Sequence, residues 1–301
     1  WTLDYVSENP LGGGFYAYLH NAGKLHEYAR GNEVVIQNKS GKALDSGRIF
    51  NSKLLKKGAE FIVWQNGDTF LLARTVANQN LRNYILRDRD KGFRDAHMGM
   101  LPPKLAQILL NLATAGKSNP IVVDPFCGSG TINHEAAISG FRTIGSDINP
   151  EFLDGAKFNH QFLSEKFRYT NNAEFLVSNA QDFAWKKYKN TVIATEGWLG
   201  ENFKQAPNKL QVEENAKKIT KLWTDVFENL AKNKDAAPSR IAVCIPTWNL
   251  QTGPVKILEK IFAKADASGY TPLALFDKQN HYSYKRAGAF VTREIVVFEK
   301  K

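Results

Sequence analysis

Cysteine is scarce in this sequence, with only Cys127 and Cys244 among 301 residues. Two cysteines cannot build a disulfide framework, and neither lies near a pair of histidines. The six histidines follow no ligand spacing such as His-x-x-x-His, which argues against a metal site. Both cysteines lie in apolar stretches, as is typical of a protein kept in a reducing compartment. We therefore expect no disulfide, no bound metal and a cytoplasmic location.

Long apolar runs are also lacking, and none approaches the roughly 18 residues that a membrane helix needs. The first residues, Trp-Thr-Leu-Asp-Tyr, lack the basic stretch and apolar core of a secretory signal. The sequence begins with Trp1 and not with Met, so we expect a fragment or a trimmed chain. Hydrophobic residues make up 43% and charged residues 23%, a composition typical of a globular protein and not of a disordered one.

Negative charge is the minority sign. Lys and Arg number 40 against 30 Asp and Glu, for a formal net charge of +10. An excess of positive charge favours nucleic acid as a partner, but it also suits a basic protein with no such partner. Charge alone leaves both interpretations open.

Short β-branched runs alternate with helical spacing of apolar residues from about Pro120 onward. This alternation predicts a mostly parallel sheet with right-handed crossovers and helices on both faces. The last two strands are separated by about a dozen residues without helical period, so we expect them to pair antiparallel. The predicted strands are 121–124, 142–146, 173–177, 191–194, 240–245 (closed by Pro246), 270–276 and 291–298. The predicted helices are 132–139, 151–167, 210–231 and 255–267.

The first 80 residues differ from the rest and predict a small α+β region. Two strand-like runs, 60–64 and 69–74, flank an Asn-Gly pair, which is a strong signal for a hairpin. A further strand is expected at 33–36. The stretch 81–98 carries charges of both signs and predicts a solvated linker, so the domain boundaries are expected at 1–80, 81–98 and 99–301.

Residues 124–131 read Asp-Pro-Phe-Cys-Gly-Ser-Gly-Thr and lie between a predicted strand and a predicted helix. Glycines let the backbone approach a ligand, and Asp147, at the end of the next strand, can accept both hydroxyls of a ribose. The third glycine of a dinucleotide-binding loop is missing, because Asn133 stands there, and no Gly-Lys-Ser/Thr follows. An adenosine ligand without a pyrophosphate fits better, and S-adenosylmethionine is such a ligand. The alternative is a plain strand-to-helix turn.

This octapeptide resembles the first motif of amino-group methyltransferases that act on nucleic-acid bases. Three further stretches, 87–95, 99–107 and 291–297, resemble segments of the THUMP-bearing tRNA guanosine-N2 methyltransferase family, which are class I amino-group RNA methyltransferases. The resemblance runs patchily from about Gly47 to the end. It implies an α/β fold with a Rossmann-like seven-stranded methyltransferase sheet, mostly parallel with the last strand antiparallel, in residues 99–301. It also implies a partial THUMP-like region in residues 1–80.

The resemblance implies a set of cofactor residues in three places. Family members more often carry an acid where Asn179 stands, and the alternative for Asn179 and Asp182 is a helix cap or turn. Cys127 is expected to be a small apolar filler and not a nucleophile. The implied cofactor residues are Asp124, Pro125, Phe126, Cys127, Gly128, Gly130, Thr131, Asp147, Ile148, Asn179, Ala180 and Asp182.

The family's catalytic motif, Asp/Asn-Pro-Pro-aromatic, corresponds here to Thr195, Glu196, Gly197 and Trp198. In one branch of the family the corresponding residues read Thr-Glu-Pro-Tyr-Leu-Gly, which this sequence resembles. Glu196 would accept hydrogen bonds from an exocyclic amine, and Trp198 would stack on an extruded base, unless it is a core aromatic. Gly197 replaces a rigid proline, so an active enzyme and a member that only binds cofactor or RNA both remain open.

The implied function is methyl transfer from S-adenosylmethionine to an exocyclic amine of a base, with guanosine N2 in tRNA favoured. Methylation of adenine N6 in DNA or RNA is the alternative with the same chemistry. The partner would be tRNA or another structured RNA, and both a monomer and a heterodimer with a small activating subunit stay open. The RNA-contacting candidates, for which a solvated surface is the alternative, are Arg48, Lys53, Lys56, Lys57, Tyr284 and Arg286.

Overall fold

A computed structural model describes most of the chain, which divides into two compact units, Trp1–Ile85 and Leu86–Lys301. No helix among the described residues is both long enough and apolar enough to cross a membrane. The described residues are 3–8, 15–19, 46–51, 53, 56, 61–66, 69–94, 100–170, 172–203, 205–274, 280–286 and 288–301.

The first unit contains a four-stranded sheet in the order β1-β2-β3-β4. Strands β3 and β4 pair antiparallel from Phe61 opposite Arg74 to Asn66 opposite Thr69, which confirms the predicted hairpin strands. The strand expected at 33–36 lies outside the described residues, and the THUMP-like assignment stays a prediction. The elements are β1 (Leu3–Glu8), β2 (Phe15–Leu19), helix α1 (Ser46–Asn51), β3 (Phe61–Asn66) and β4 (Thr69–Arg74).

The second unit is built on a nine-stranded sheet. Seven strands follow the order β11-β13-β9-β8-β5-β6-β7, while β10 pairs with β9 and β12 pairs with β13. Strands β5 to β9 pair parallel along this path, and β13 lies antiparallel between β9 and β11, which confirms the predicted fold class. The strands are β5 (Ile121–Asp124), β6 (Thr143–Asp147), β7 (Ala173–Val177), β8 (Thr191–Thr195), β9 (Arg240–Leu250), β10 (Gly253–Lys256), β11 (Tyr270–Pro272), β12 (Tyr282–Tyr284) and β13 (Val291–Lys300).

Helices cover both faces of this sheet. Neighbouring strand residues Val122 and Val123 belong to different buried clusters, because successive side chains point to opposite faces. Both faces are therefore apolar, which explains why the central strands read as continuous hydrophobic runs. The helices are α2 (Leu81–Asp88), which spans the division between the units, α3 (Pro103–Thr114), α4 (Thr131–Ile138), α5 (Pro150–Phe167), α6 (Lys209–Lys232) and α7 (Leu258–Ala267).

Helix α6 shows how sequence dictates an element here. Asn208 caps it by accepting from the backbone N–H of Gln211, whose side chain in turn accepts from the N–H of Asn208. Ile219, Trp223 and Phe227, apolar residues spaced four apart along this helix, are fully buried.

Three predicted boundaries were wrong near the C-terminal strands. Strand β9 continues through Pro246 to Leu250 and turns back into β10. Asn249 donates its N–H to the carbonyl of Phe290, so by alternation the nitrogen of Pro246 points away from β13 and no ladder bond is lost there. Consequently α7 begins at Leu258, after β10, and not at residue 255, while β11 ends at Pro272 and not at residue 276.

Candidate active site

A cavity of about 760 Å³ opens where the parallel strands β5, β6 and β8 end. Asp124 ends β5, Asp147 ends β6, and Glu196 follows β8; all three line the cavity. The carboxyl ends of the strands are where open α/β sheets bind their ligands. The topology therefore brings together the residues that the sequence predicted from separate motifs.

Most of the predicted cofactor residues line this cavity, but two do not. Gly130 is buried beneath the loop, where it caps α4. Asp182 is exposed and donates its backbone N–H to the carbonyl of Asn179, away from the lining. The lining members are Asp124, Pro125, Phe126, Cys127, Gly128, Thr131, Asp147, Ile148, Asn179 and Ala180.

Backbone N–H groups of the glycine loop and of the next strand end hold Asp147. Gly128 donates to Oδ2 at 3.0 Å, and Asn149 donates to Oδ1 at 3.0 Å. Each carboxylate oxygen keeps a second lone pair, so Asp147 can still accept from two ligand hydroxyls. Gly128 has φ +50, and a Cβ there would meet no atom within 4 Å, so its backbone borders open space that a ligand can approach.

Asp124 and Thr195 tie the loops after β5 and β8 together. The Thr195 hydroxyl donates to Oδ1 of Asp124 at 2.7 Å and accepts from the backbone N–H of Gly197 at 3.0 Å. Burial raises the pKa of Asp124 to about 7, against the hydrogen bonds from Thr195 and from the N–H of Phe126. Thr195, the first residue of the predicted catalytic motif, is fully buried and does not line the cavity. Its hydroxyl instead connects Asp124 to the backbone of Gly197.

Asn179 caps a short turn and also lines the cavity. Its side-chain oxygen accepts from the N–H of Gln181 and so caps the short 3₁₀ turn Ala180–Asp182. Its amide donates to the side chain of Gln181 at 2.9 Å, and both residues line the cavity. The capping role therefore does not remove Asn179 from the cavity lining.

Glu196 is the carboxylate that the loop after β8 contributes to the cavity lining. It accepts from Nε of Arg293, on β13, at 2.6 Å. Burial raises the pKa of Glu196, while the positive charge of Arg293 opposes that rise. Trp198 is half-buried, packs against the core and lines the cavity.

Gly197 has φ +70, which a proline cannot adopt because its ring fixes φ near −65°. A Cβ at this position would lie 3.1 Å from Cζ2 of the buried Trp223. The loop is therefore built for glycine, and its backbone differs from the one that the family's proline would impose.

The family described as "Methyltransferase domain" matches residues 116–277, more than half of the chain. The chain belongs to this methyltransferase family. A second family, described as "DNA methylase", matches residues 63–158.

Two curated relatives of this methyltransferase are both named tRNA (guanine(10)-N2)-dimethyltransferase. The protein from Methanocaldococcus jannaschii is 35% identical over 92 residues, covering 31% of this chain and 26% of the relative. The protein from Methanothermobacter thermautotrophicus is 34% identical over 127 residues, covering 42% of this chain and 35% of the relative. The matched part thus spans about a quarter to a third of these relatives.

Solved structures that resemble the methyltransferase include TrmN from Thermus thermophilus, with TM-score 0.47 and 19% identity, covering 85% of this chain and 66% of that one. TYW2 from M. jannaschii, solved in complex with AdoMet, has TM-score 0.40 and 13% identity, covering 80% and 87% of the two chains.

Sequence reasoning missed a part of the cavity wall of the methyltransferase. Lys218 and Lys221 of α6 lie three residues apart, and that spacing on a helix facing the predicted site was the available signal. Lys218 pairs with Glu201 and Glu214, and Lys221 pairs with Asp225. The missed lining residues are Met100, Leu101, Ser129, Ile132, Asn149, Phe152, Gln181, Lys218, Lys221 and Leu222.

The predicted RNA contacts fall in both units. Arg286 is exposed and donates to the carbonyl of Met100 at 3.4 Å, which places it beside the cavity lining. Tyr284 is half-buried against the core. In the first unit Lys53 and Lys56 are exposed. The side chain of Arg48 and the whole of Lys57 lie outside the described residues.

Residues 87–93, which we call the loop-backing segment, pack against the helices behind the glycine loop. Arg87 pairs with Glu135 at 2.6 Å, and Lys91 donates to Oγ1 of Thr131 at 3.0 Å. Both cations are buried, at 7% and 3% exposure. The prediction of a solvated linker is therefore wrong for Arg87 and Lys91, which are buried behind the glycine loop.

Proposed function

We propose that this methyltransferase transfers a methyl group from S-adenosylmethionine to the exocyclic N2 amine of guanosine in tRNA. The observation that carries the proposal is the shared cavity. Glu196 and Trp198 line the same space as the glycine loop and Asp147. A cofactor site and an amine site thus adjoin.

The residues present fit the cofactor. Asp147 would accept from the ribose hydroxyls, the open backbone at Gly128 would lie against the ligand, and Asn179 would meet the adenine edge. Ile148 lines the cavity and is 72% exposed, an apolar surface that a bound adenine would cover. When bound, S-adenosylmethionine supplies a methyl group that an amine lone pair can attack.

Glu196 and Trp198 would prepare the amine. An exocyclic amine delocalises its lone pair into the ring, and a carboxylate that accepts from its N–H groups favours a pyramidal nitrogen. Trp198 would stack on the extruded base and hold that nitrogen in line. The nitrogen would gain the methyl carbon as that carbon's bond to the sulfonium sulfur breaks, with the bonding pair staying on sulfur, and would lose one proton to water, so the transfer requires no metal.

Guanine fits an ionised carboxylate better than adenine does. Beside its amine guanine presents N1–H, a donor, whereas adenine presents N1 as an acceptor. An ionised Glu196 is an acceptor only, so it attracts the first edge and repels the second. The names of the curated relatives agree with guanine N2 in tRNA, and they specify position 10.

The partner surface is proposed to include exposed cations of both units. Arg286 lies beside the cavity lining, where it can meet the phosphate of a flipped nucleotide. Lys53 and Lys56 would contact the tRNA backbone, in line with a THUMP-like role for the first unit.

A methyl-transfer assay tests the proposal. The purified chain is incubated with labelled S-adenosylmethionine and a tRNA pool, and digested nucleosides are identified by mass. We expect N2-methylguanosine, and an Asp147→Ala variant should give none. A wild type that binds cofactor but methylates no tRNA, with or without added cell extract as a source of a helper subunit, would contradict the active assignment and favour the non-catalytic one.

Adenine N6 is the second candidate substrate, because the family described as "DNA methylase" matches residues 63–158. The same nucleoside analysis separates the candidates, since N6-methyladenosine and N2-methylguanosine differ in mass. Duplex DNA and total RNA are assayed beside tRNA. Methylated adenine without methylated guanine would replace the guanine assignment.

A further inference from the structure

Arg293 has a contact that the proposed reaction does not by itself explain. It lies on β13, directly opposite Pro246 of β9, and is 7% exposed. Its Nε donates to Oε1 of Glu196 at 2.6 Å, across 97 residues of sequence. A guanidinium on a central strand is thus aimed at the carboxylate that we assign to the amine.

This bond fixes the carboxylate in one orientation. Oε1 receives the Arg293 hydrogen bond. Oε2 accepts no hydrogen bond from the described residues. Glu196 lines the cavity, so the oxygen left over is the one available to a substrate. A planar guanidinium fixed by a strand holds such an orientation better than a mobile lysine would.

The other charged or titratable groups around Glu196 come from three elements. Arg286, after β12, is exposed and its attraction is screened by water, whereas Arg293 is buried. Asp124, on β5, acts on Glu196 as a like charge. Cys244, on β9, is buried, and burial raises the pKa of its thiol well above the usual range. Arg293 is therefore the buried cation that opposes the cost of burying Glu196.

We infer that Arg293 is a positioning residue, which keeps Glu196 ionised and leaves Oε2 free for the substrate amine. The inference rests on the proposed function for the identity of that amine. The contact between Arg293 and Glu196 can nevertheless be tested without any substrate.

Two variants and one matched control separate positioning from mere stability. Arg293→Gln removes the charge, and Arg293→Lys keeps the charge but loses the planar Nε–H. Arg240→Gln is the control, because Arg240, on β9, makes an ion pair with Glu299 of β13, and neither residue of that pair lines the cavity. Circular dichroism and thermal melting report on the fold of each variant.

The first measurement is the carboxyl titration of Glu196 by ¹³C NMR, assigned with Glu196→Gln. In Arg293→Gln the Glu196 pKa should rise by about one pH unit or more, because an opposite charge is lost. In Arg293→Lys the rise should be smaller, and Arg240→Gln should leave the titration in place. An unchanged Glu196 titration in a folded Arg293→Gln protein would overturn the inference.

The second measurement is the pH dependence of methyl transfer. Glu196 must be ionised to accept, so activity falls as pH drops through its pKa, and Arg293→Gln should move that acidic limb to higher pH. We expect a kcat loss of about tenfold or more near neutral pH, with partial recovery in Arg293→Lys. A wild type without methyl transfer contradicts the proposed function alone, because the NMR titration still decides the role of Arg293. If Arg293→Gln fails to fold, the Arg293→Lys titration decides it.

Discussion

Asp147 links the glycine loop to the segment after β6, because its carboxylate accepts hydrogen bonds from both. The N–H groups of Gly128 and Asn149 each approach one of its oxygens at 3.0 Å. The carboxylate is thus oriented before a ligand arrives, and little rotational freedom remains to be lost when a ribose binds.

Asp147→Ala should weaken binding of S-adenosylmethionine by about 100-fold or more, since two hydrogen bonds to a charged acceptor are lost. Isothermal titration calorimetry measures the change. Asp182→Ala is the comparison, because Asp182 is exposed and outside the cavity lining, and its Kd should change by less than about threefold. An unchanged Kd in Asp147→Ala would show that the cofactor lies elsewhere.

The sequence predicted Asp124, Asp147, Glu196 and Trp198 as site residues, with Glu196 and Trp198 assigned through the family resemblance, and the structure places all four in the lining of one cavity. It could not assign Arg293, since a contact across 97 residues depends on how β13 pairs with β9. Gly197 was recognised as a departure from the family. The left-handed backbone at Gly197 and its packing near Trp223 depend on the tertiary structure, so the sequence did not predict them.

The loop-backing segment carries two buried cations against α4 and α5. Phe93 donates its N–H to Asn159, whose amide donates back to the carbonyl of Phe93. The same amide contacts the carbonyl of Ser129 at 3.4 Å, and Ser129 lines the cavity. The loop-backing segment and the glycine loop therefore share Asn159 as a hydrogen-bonding partner.

Lys91 should make the free energy of unfolding depend on pH in the alkaline range. Burial lowers the pKa of Lys91 from 10.5 to about 8, against the attraction of Asp88 and Glu135. Between about pH 8 and 10.5 the unfolded chain binds a proton that the folded chain has released, so the Lys91 contribution to stability rises with pH.

Lys91→Met removes this contribution, so the difference in unfolding free energy between wild type and variant should grow with pH in favour of wild type. The slope is at most about 1.4 kcal/mol per pH unit. Urea unfolding from pH 7 to 10.5 measures it, and Lys186→Met, at an exposed position, reports the general effect of losing a surface lysine. A pH-independent difference for Lys91→Met would mean that Lys91 is not desolvated.

Elements with a strong period were predictable, while those that depend on neighbours were not. The buried stripe of α6 has helical spacing in any context, so its bounds were nearly right. Strand β9 crosses Pro246 because the alternation of its ladder points that nitrogen away from β13. Residues 81–98 carry mixed charge, which is typical of a solvated stretch, whereas tertiary partners such as Glu135 and Thr131 accompany the burial of Arg87 and Lys91.

The net charge of +10 is a property of the whole chain, and it contributes to binding only if the partner is a polyanion. Exposed cations occur in both units, with Lys53 and Lys56 in the first and Arg286 beside the cavity lining of the second. Phosphate contacts position a nucleic acid without reading its sequence, while the flipped base is read in the pocket. Under the proposed function, affinity and base choice would therefore depend on different parts of the protein.

Binding of tRNA should weaken steeply with salt, because each neutralised phosphate releases counterions. With about six phosphate contacts, affinity falls roughly 1,000-fold between 50 and 200 mM salt. Filter binding across that range measures the slope of log Kd against log salt. Lys53→Gln, Lys56→Gln and Arg286→Gln should each reduce the slope by about one if the residue contacts a phosphate. A slope near zero would leave the positive charge without a role in binding, and an unchanged slope in Arg286→Gln would place the tRNA backbone away from the cavity.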